Sequence, residues 1–209
     1  MANVIAPHGF QPIKNVGMYT GQTNIYFIPA SDPNQYNIGD AVKSAVGSDP
    51  LGFPTVIKST GAAAEAQRGV IVGVLPVTAV GQSPSLIGTP LALEVINIPA
   101  TKTRGYYVEV LDDPNALFQI QDDGLAALTA AATSKNASFT PANNANAQIQ
   151  ISATVLTTAS VAVGATLPLK IMGLYQQYAP AAGNSYGVNA IWVVKFNLHE
   201  LCGAGIAGV

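Results

Sequence analysis

Short runs of β-branched and aromatic residues, each cut off by proline, glycine or aspartate, recur along this chain and constrain its fold more than any other feature. Thr23 to Pro29 is the first, followed by Ile38 to Lys43, Gly52 to Ile57 and Gly69 to Leu75. Side chains branched at Cβ fit a pleated surface, and the turn-forming residues between them keep each strand short. Strands of this length at this spacing predict a mainly β fold, a small antiparallel β-barrel or sandwich. Glycines inside the runs mark bends or bulges.

Further along, Tyr106 to Leu111 and Ala116 to Gln121 flank Asp112-Asp113-Pro114-Asn115 and read as a hairpin. Proline fixes one φ of the turn, and Asp and Asn bond their own backbone. In that hairpin Val108 and Val110 share a face near Phe118 or Ile120. Leu125 to Thr133 is the one candidate helix, short and Ala/Leu-rich, with Asp122 or Asp123 as its cap. Ser83 to Pro99 has no clear pattern, Phe139 to Asn146 and Tyr178 to Gly187 read as loops, and Gln148 to Ile151 as a short strand. Leu167 to Tyr175 and Ala190 to Asn197 read as strands. On the last of these, Trp192, Val194 and Phe196 share one face, with Ile191, Val193 and Lys195 on the other. The expected organisation is an extended N-terminal arm over 1–22, a β-rich domain over 23–197, and a Gly/Ala-rich C-terminal arm over 198–209.

Composition narrows the function. Charged residues make up 10% of the 209, against a usual ~25%. Nine Lys and Arg oppose eleven Asp and Glu, a net charge of -2, which leaves no basic footprint for direct nucleic-acid binding. Nor is this the low-hydropathy, high-charge composition of a disordered chain. The uncharged intervals are broken by Pro, Gly, Asn and Gln, so no membrane helix is expected. The first ten residues lack the basic and apolar regions of a signal peptide. Cys202 is the single cysteine, so the fold rests on packing and not on an intrachain disulfide. A surface rich in Ala, Asn, Gln, Ser and Thr buries few ions when it meets a neighbour, which suits permanent assembly.

Candidate chemistry is sparse. Gly203-Ala204-Gly205-Ile206-Ala207-Gly208 has the spacing of a dinucleotide loop, but the helix and acidic residue that mechanism needs do not follow it. His199 and Cys202, with His8, are too few for a structural zinc site, and no third group is placed to orient a Cys–His pair for catalysis. In the predicted hairpin, Asp112/Asp113 and Asp122/Asp123 stand roughly 25–30 Å apart, too far for paired catalytic carboxylates at ~5–9 Å. Asn136-Ala137-Ser138 fits a glycosylation pattern and reads as a loop. No catalytic, cofactor-binding or metal-binding residue is expected, and the chain is not expected to be an enzyme.

The opening Ala6-Pro7-His8-Gly9-Phe10-Gln11-Pro12 resembles the start of the capsid decoration, or cement, proteins of tailed bacteriophages. Gly21 to Pro29, Ile38 to Lys43, Gly52 to Val56, Gly69 to Val74, the segment Tyr107 to Gln121, Thr166 to Leu174 and the tail from Asn197 are similar to that family in the same order. The chain departs from the pattern between Asn136 and Ser160, and at Leu201 to Ile206 where a more polar tail is usual. The resemblance implies a non-enzymatic virion protein, made in the host bacterial cytoplasm and bound to the outer surface of an icosahedral head. Its partner would be the major capsid protein, and it would form a homo-oligomer, dimer or trimer. A head-completion or fibre-like host-attachment role is the alternative. On this reading Met1 to Val16 packs on a neighbouring subunit, and Asn197 to Val209 either does the same or tucks back over its own barrel.

Overall fold

A computed structural model describes residues 3–15, 22–75, 97–144, 151–176, 183–202, 205 and 208. Its strands are β1 (Gln11–Asn15), β2 (Asn24–Ile28), β3 (Tyr36–Asn37), β4 (Ala41–Ser48), β5 (Pro54–Lys58), β6 (Gly69–Leu75) and β7 (Asn97–Ile98). They continue with β8 (Tyr106–Leu111), β9 (Ala116–Gln121), β10 (Asn136–Ala137), β11 (Phe139–Thr140), β12 (Val155–Leu156), β13 (Leu169–Leu174) and β14 (Ile191–Phe196). The fold is mainly β, as the short β-branched runs require.

Two units share the chain. Five strands pair in a ring, in the order β2-β5-β4-β6-β8 with β8 returning to β2. One parallel pair, Phe27 beside Thr55, joins β2 to β5; the other joins are antiparallel. Tyr26, Ile28, Val42, Val56, Ile71, Val108 and Val110 fill the ring. A second, five-stranded sheet runs β1-β9-β14-β13-β10, and Phe118, Ile120, Ile171, Trp192, Val194 and Phe196 form its core. Period-two alternation ties the two together: on β6, Ile71 points into the ring while Val70 joins the core of the sheet. The alternation read for β14 is observed, with Trp192, Val194 and Phe196 buried and the residues between them half-buried.

Three expectations are corrected. The run from Tyr106 to Gln121 is two strands with the bounds expected, but not a hairpin. β8 pairs with β2 and β6, while β9 pairs with β1 and β14. The turn therefore carries the chain from ring to sheet, and Val108 and Val110 lie in a different core from Phe118 and Ile120. The helix over Leu125 to Thr133 reduces to a 3-10 turn at Ala130–Ala132, capped by the Thr129 hydroxyl. Leu125, Ala126, Ala127, Ala130 and Ala131 are exposed, so the segment lacks the apolar face that holds short helices in proteins. Asp122 and Asp123 instead accept from the amides of Gly124 and Leu125, two residues on. Phe139, expected in a loop, is buried on β11.

The terminal segments also differ from free arms. Within 1–22, Phe10 is 1% exposed in the core of the sheet and Gln11–Asn15 is its edge strand. Gly9 makes the entry possible. Its φ is +66°, and a Cβ there would stand 2.5 Å from that of Ser152. At the other end, His199 bridges Gln67, and the amide of Gly208 donates to the Val163 carbonyl. The described residues of the tail thus lie on their own chain. Residues 1–2, 16–21, 203–204, 206–207 and 209 of the expected arms lie outside the described residues. So do 83–96, 145–150 and 178–182 of the expected loops and the Gln148 strand.

Candidate interaction surface

Charge in this protein is turned inward. The Asp40 carboxylate has no exposed area, meets Lys58 Nζ at 2.8 Å, and accepts from Ser152 Oγ at 2.6 Å and the Asn37 amide at 2.9 Å. Lys102 Nζ lies 3.5 Å from Asp32 and donates to the carbonyls of Asp32 and Asn34, each at 2.6 Å. Asp112, expected only as a turn residue, accepts from Tyr26 Oη at 2.6 Å and stands 3.4 Å from the Arg68 guanidinium. Asp122 receives Trp192 Nε1 at 3.0 Å and the Ala190 amide at 3.1 Å. Burial nevertheless raises its pKa above the ordinary carboxylate value. Asp49 takes the Tyr107 hydroxyl. Every Asp, Glu, Lys and Arg whose side chain is described is buried or half-buried, Lys43, Arg68 and Glu200 among the half-buried ones that still reach solvent.

The surface shows apolar groups instead. Val46 is 104% exposed near the tip of the β4–β5 hairpin, with Leu51 beside it at 45%. Asp49 braces that tip by accepting from the amides of Leu51 and Phe53. A second group, Val4, Ile5, Leu125, Tyr186 and Val188, stands at one end of the sheet. It is assembled by side-chain amides. Asn3 donates to the carbonyls of Ser185 and Val188, both at 2.9 Å. Gln121 donates to the Val4 and Asn189 carbonyls and accepts from the Ala6 amide at 2.8 Å. Neither Asn3 nor Gln121 was singled out from sequence, because an isolated amide carries no pattern.

The residues weighed for chemistry do not come together. His199 is buried against Phe196, whereas Cys202 is exposed. His8 lines a cleft of about 440 Å³ between ring and sheet, with Phe10, Thr23, Ile38 and Glu109 among its walls. Among the described residues, no group of three or more His, Cys, Asp or Glu is placed to hold a metal ion. Asn136 is fully buried on β10, away from the loop expected for a glycosylation site.

Both histidines make stability pH-dependent. Burial, and then the Arg68 charge, push the pKa of His199 below its ordinary 6.5, against the pull of Asp112 and Glu200. Burial lowers His8 as well. The unfolded chain therefore takes up protons near pH 6.5 that the folded chain refuses, so stability falls as pH drops through that value. The slope approaches about 1.4 kcal/mol per pH unit for each such histidine. Asp122 acts in the opposite sense, since its raised pKa lets the folded form bind a proton first. The difference between wild type and His199→Gln isolates His199. The wild-type urea midpoint should fall more steeply from about pH 7.5 to about pH 5.5 than that of the variant. Equal slopes would rule this role out.

Comparison with known proteins finds no matching family model, no matching curated protein and no matching solved structure.

Proposed function

We propose that this chain is a non-enzymatic virion structural protein that binds the outside of an icosahedral phage head and strengthens contacts between major capsid protein subunits. The observation that carries the reading is the surface: every described Asp, Glu, Lys and Arg is buried or half-buried, while Val4, Ile5, Val46 and Leu125 are each more than 70% exposed. Seating such a surface on a partner removes apolar area from water at roughly 25 cal/mol per Å² and strips few ions of solvent. The sequence resemblance to cement proteins supplies the capsid as partner. Repetition over a symmetric shell means that each copy need add only a few kcal/mol, and binding the assembled form alone stabilises it by mass action.

Particles stripped of this protein should release DNA at lower temperature, and at lower osmotic stress, than complete particles, and purified protein should restore them. Equal release in stripped and complete particles would remove the cement role and leave host attachment as the better reading.

A further inference from the structure

One carboxylate stands apart from the inward pairing of the others. On β8, Val108 and Val110 fill the ring, and period-two alternation puts Tyr107, Glu109 and Leu111 on the opposite face. Tyr107 and Leu111 are buried there, while Glu109 between them is half-buried. Gly73 of β6 stands opposite Glu109, at the register shift of that strand pair, and a Cβ there would lie 2.9 Å from Glu109 Oε2. The Glu109 side chain therefore lies across a glycine, and it lines the cleft between ring and sheet.

Asp32, Asp40, Glu65, Asp112 and Glu200 each face a lysine or arginine. Asp49, Asp113, Asp122 and Asp123 accept from hydroxyls, a backbone amide or the indole. Glu109 has no partner of either kind among the described residues. Among those residues no lysine or arginine lines the cleft. His8, whose pKa burial lowers, is neutral at about pH 7 and offsets no charge there. Ile38, Val72 and Ile151 add half-buried apolar walls. A carboxylate partly withdrawn from water beside such walls gains more from a cation than a fully solvated one does. A metal ion needs several ligands, and among the described residues no three His, Cys, Asp or Glu converge. The cation that fits brings N–H donors for the carboxylate and methylenes for the walls. At about 440 Å³ the cleft has the size of a small-ligand site.

We propose that this cleft binds an alkylammonium group, with its nitrogen on the Glu109 carboxylate and its methylene stem along Ile38, Val72 and Ile151. Charge-assisted N–H···O bonds hold the head. Two sources carry this chemistry, the side chain of a lysine on a partner protein and a free aliphatic amine. The walls come from the ring, through β6 and β8, and from the segment that leads into β1 of the sheet. An occupant therefore favours the docked arrangement of the two units by mass action. The site does not depend on the capsid as partner.

NMR titration of the full chain with n-pentylamine should shift the amides of Val72 and Glu109, with a dissociation constant in the millimolar range or tighter. Pentanol keeps the stem and loses the charge, whereas tetramethylammonium keeps the charge and loses the N–H donors. Each should bind at least about tenfold more weakly than pentylamine. Glu109→Gln should weaken pentylamine at least about tenfold, and Glu65→Gln, the same change of charge outside the cleft, should not. Acetyl-lysine methylamide distinguishes the sources. Binding as tight as that of pentylamine assigns the cleft to a lysine of a partner protein, and binding at least about tenfold weaker assigns it to a free amine. No shift with either amine, equal affinity for pentylamine and pentanol or tetramethylammonium, or an unchanged affinity in Glu109→Gln would overturn the proposal. The comparison of ligands needs only the wild-type chain, so it decides the matter whether or not the Glu109→Gln chain folds.

Discussion

A chain lacking residues 1–12 should fail to fold cooperatively, although the same residues read in the sequence as part of an extended arm that packs on a neighbouring subunit. Phe10 is 1% exposed and packs on Phe118, Phe139 and Phe196 with ring centroids 5.9, 5.1 and 5.5 Å away. Its amide donates to the Gly39 carbonyl at 2.9 Å, which ties the sheet to the loop leading into β4. Phe10→Ala alone should cost about 3–5 kcal/mol through lost burial and the cavity left behind. The deletion also removes the pairs Gln11–Gln119 and Pro12–Phe118 at the edge of the sheet. Against a total stability of about 5–15 kcal/mol, these losses together leave little. Removing residues 1–5 touches none of that core and should barely move the midpoint. Urea titrations followed by the fluorescence of buried Trp192 distinguish the cases. A chain without residues 1–12 that unfolds at the wild-type midpoint would show that Phe10 is not a core residue.

What the sequence discloses about this fold is local, and what it conceals is pairing. The run Gly69 to Leu75 becomes β6 with both ends as expected, because β-branched residues stop where the pleat stops. β8 and β9 also begin and end where the turn residues place them. The error lay in their partners. Asp112-Asp113-Pro114-Asn115 specifies a change of direction, which serves a crossing between units as well as a hairpin. The discriminating signal was present in β8 itself. Tyr107 and Leu111 are as buried as Val108 and Val110, and apolar residues on both faces mark a strand covered on both sides.

Other features were hidden for different reasons. Phe10 lies between Gly9 and Pro12 with no periodicity around it, so nothing local separates a core anchor from an apolar residue in an arm. The Ala-rich segment from Leu125 satisfied helix propensity, yet with two Asp side chains holding its first amides and little apolar surface to bury, propensity did not decide the outcome. Composition gave the sparse charge, but not that the remaining ions are drawn inside. For the candidate surface this placement matters as much as the count, since no described charge stands as far out as Val4, Ile5, Val46 or Leu125.

Lys58→Met should be among the most destabilising single changes on this chain, at about 3–5 kcal/mol, because it strands a buried carboxylate. Asp40 has no exposed area, and Lys58 Nζ is its cation at 2.8 Å. The ammonium also donates to the exposed Asn143 Oδ1 at 2.8 Å and to the half-buried Gln35 carbonyl at 3.1 Å, so the buried carboxylate and two further acceptors lose their donor at once. Lys43→Met is the matched control. Its partner Glu65 lies 3.2 Å away, but the Lys43 side chain is 29% exposed, and pairs in such positions contribute about 0–1 kcal/mol. Added salt should narrow the Lys43 effect further and leave the Lys58 effect largely intact, since buried pairs are poorly screened. This difference bears on assembly. An ion pair kept inside the protomer holds its shape at any ionic strength while contributing nothing repulsive to the outer face. Chemical denaturation of both variants at low and high salt provides the test, and equal losses for Lys43→Met and Lys58→Met would show that Asp40 is not held as a buried ion.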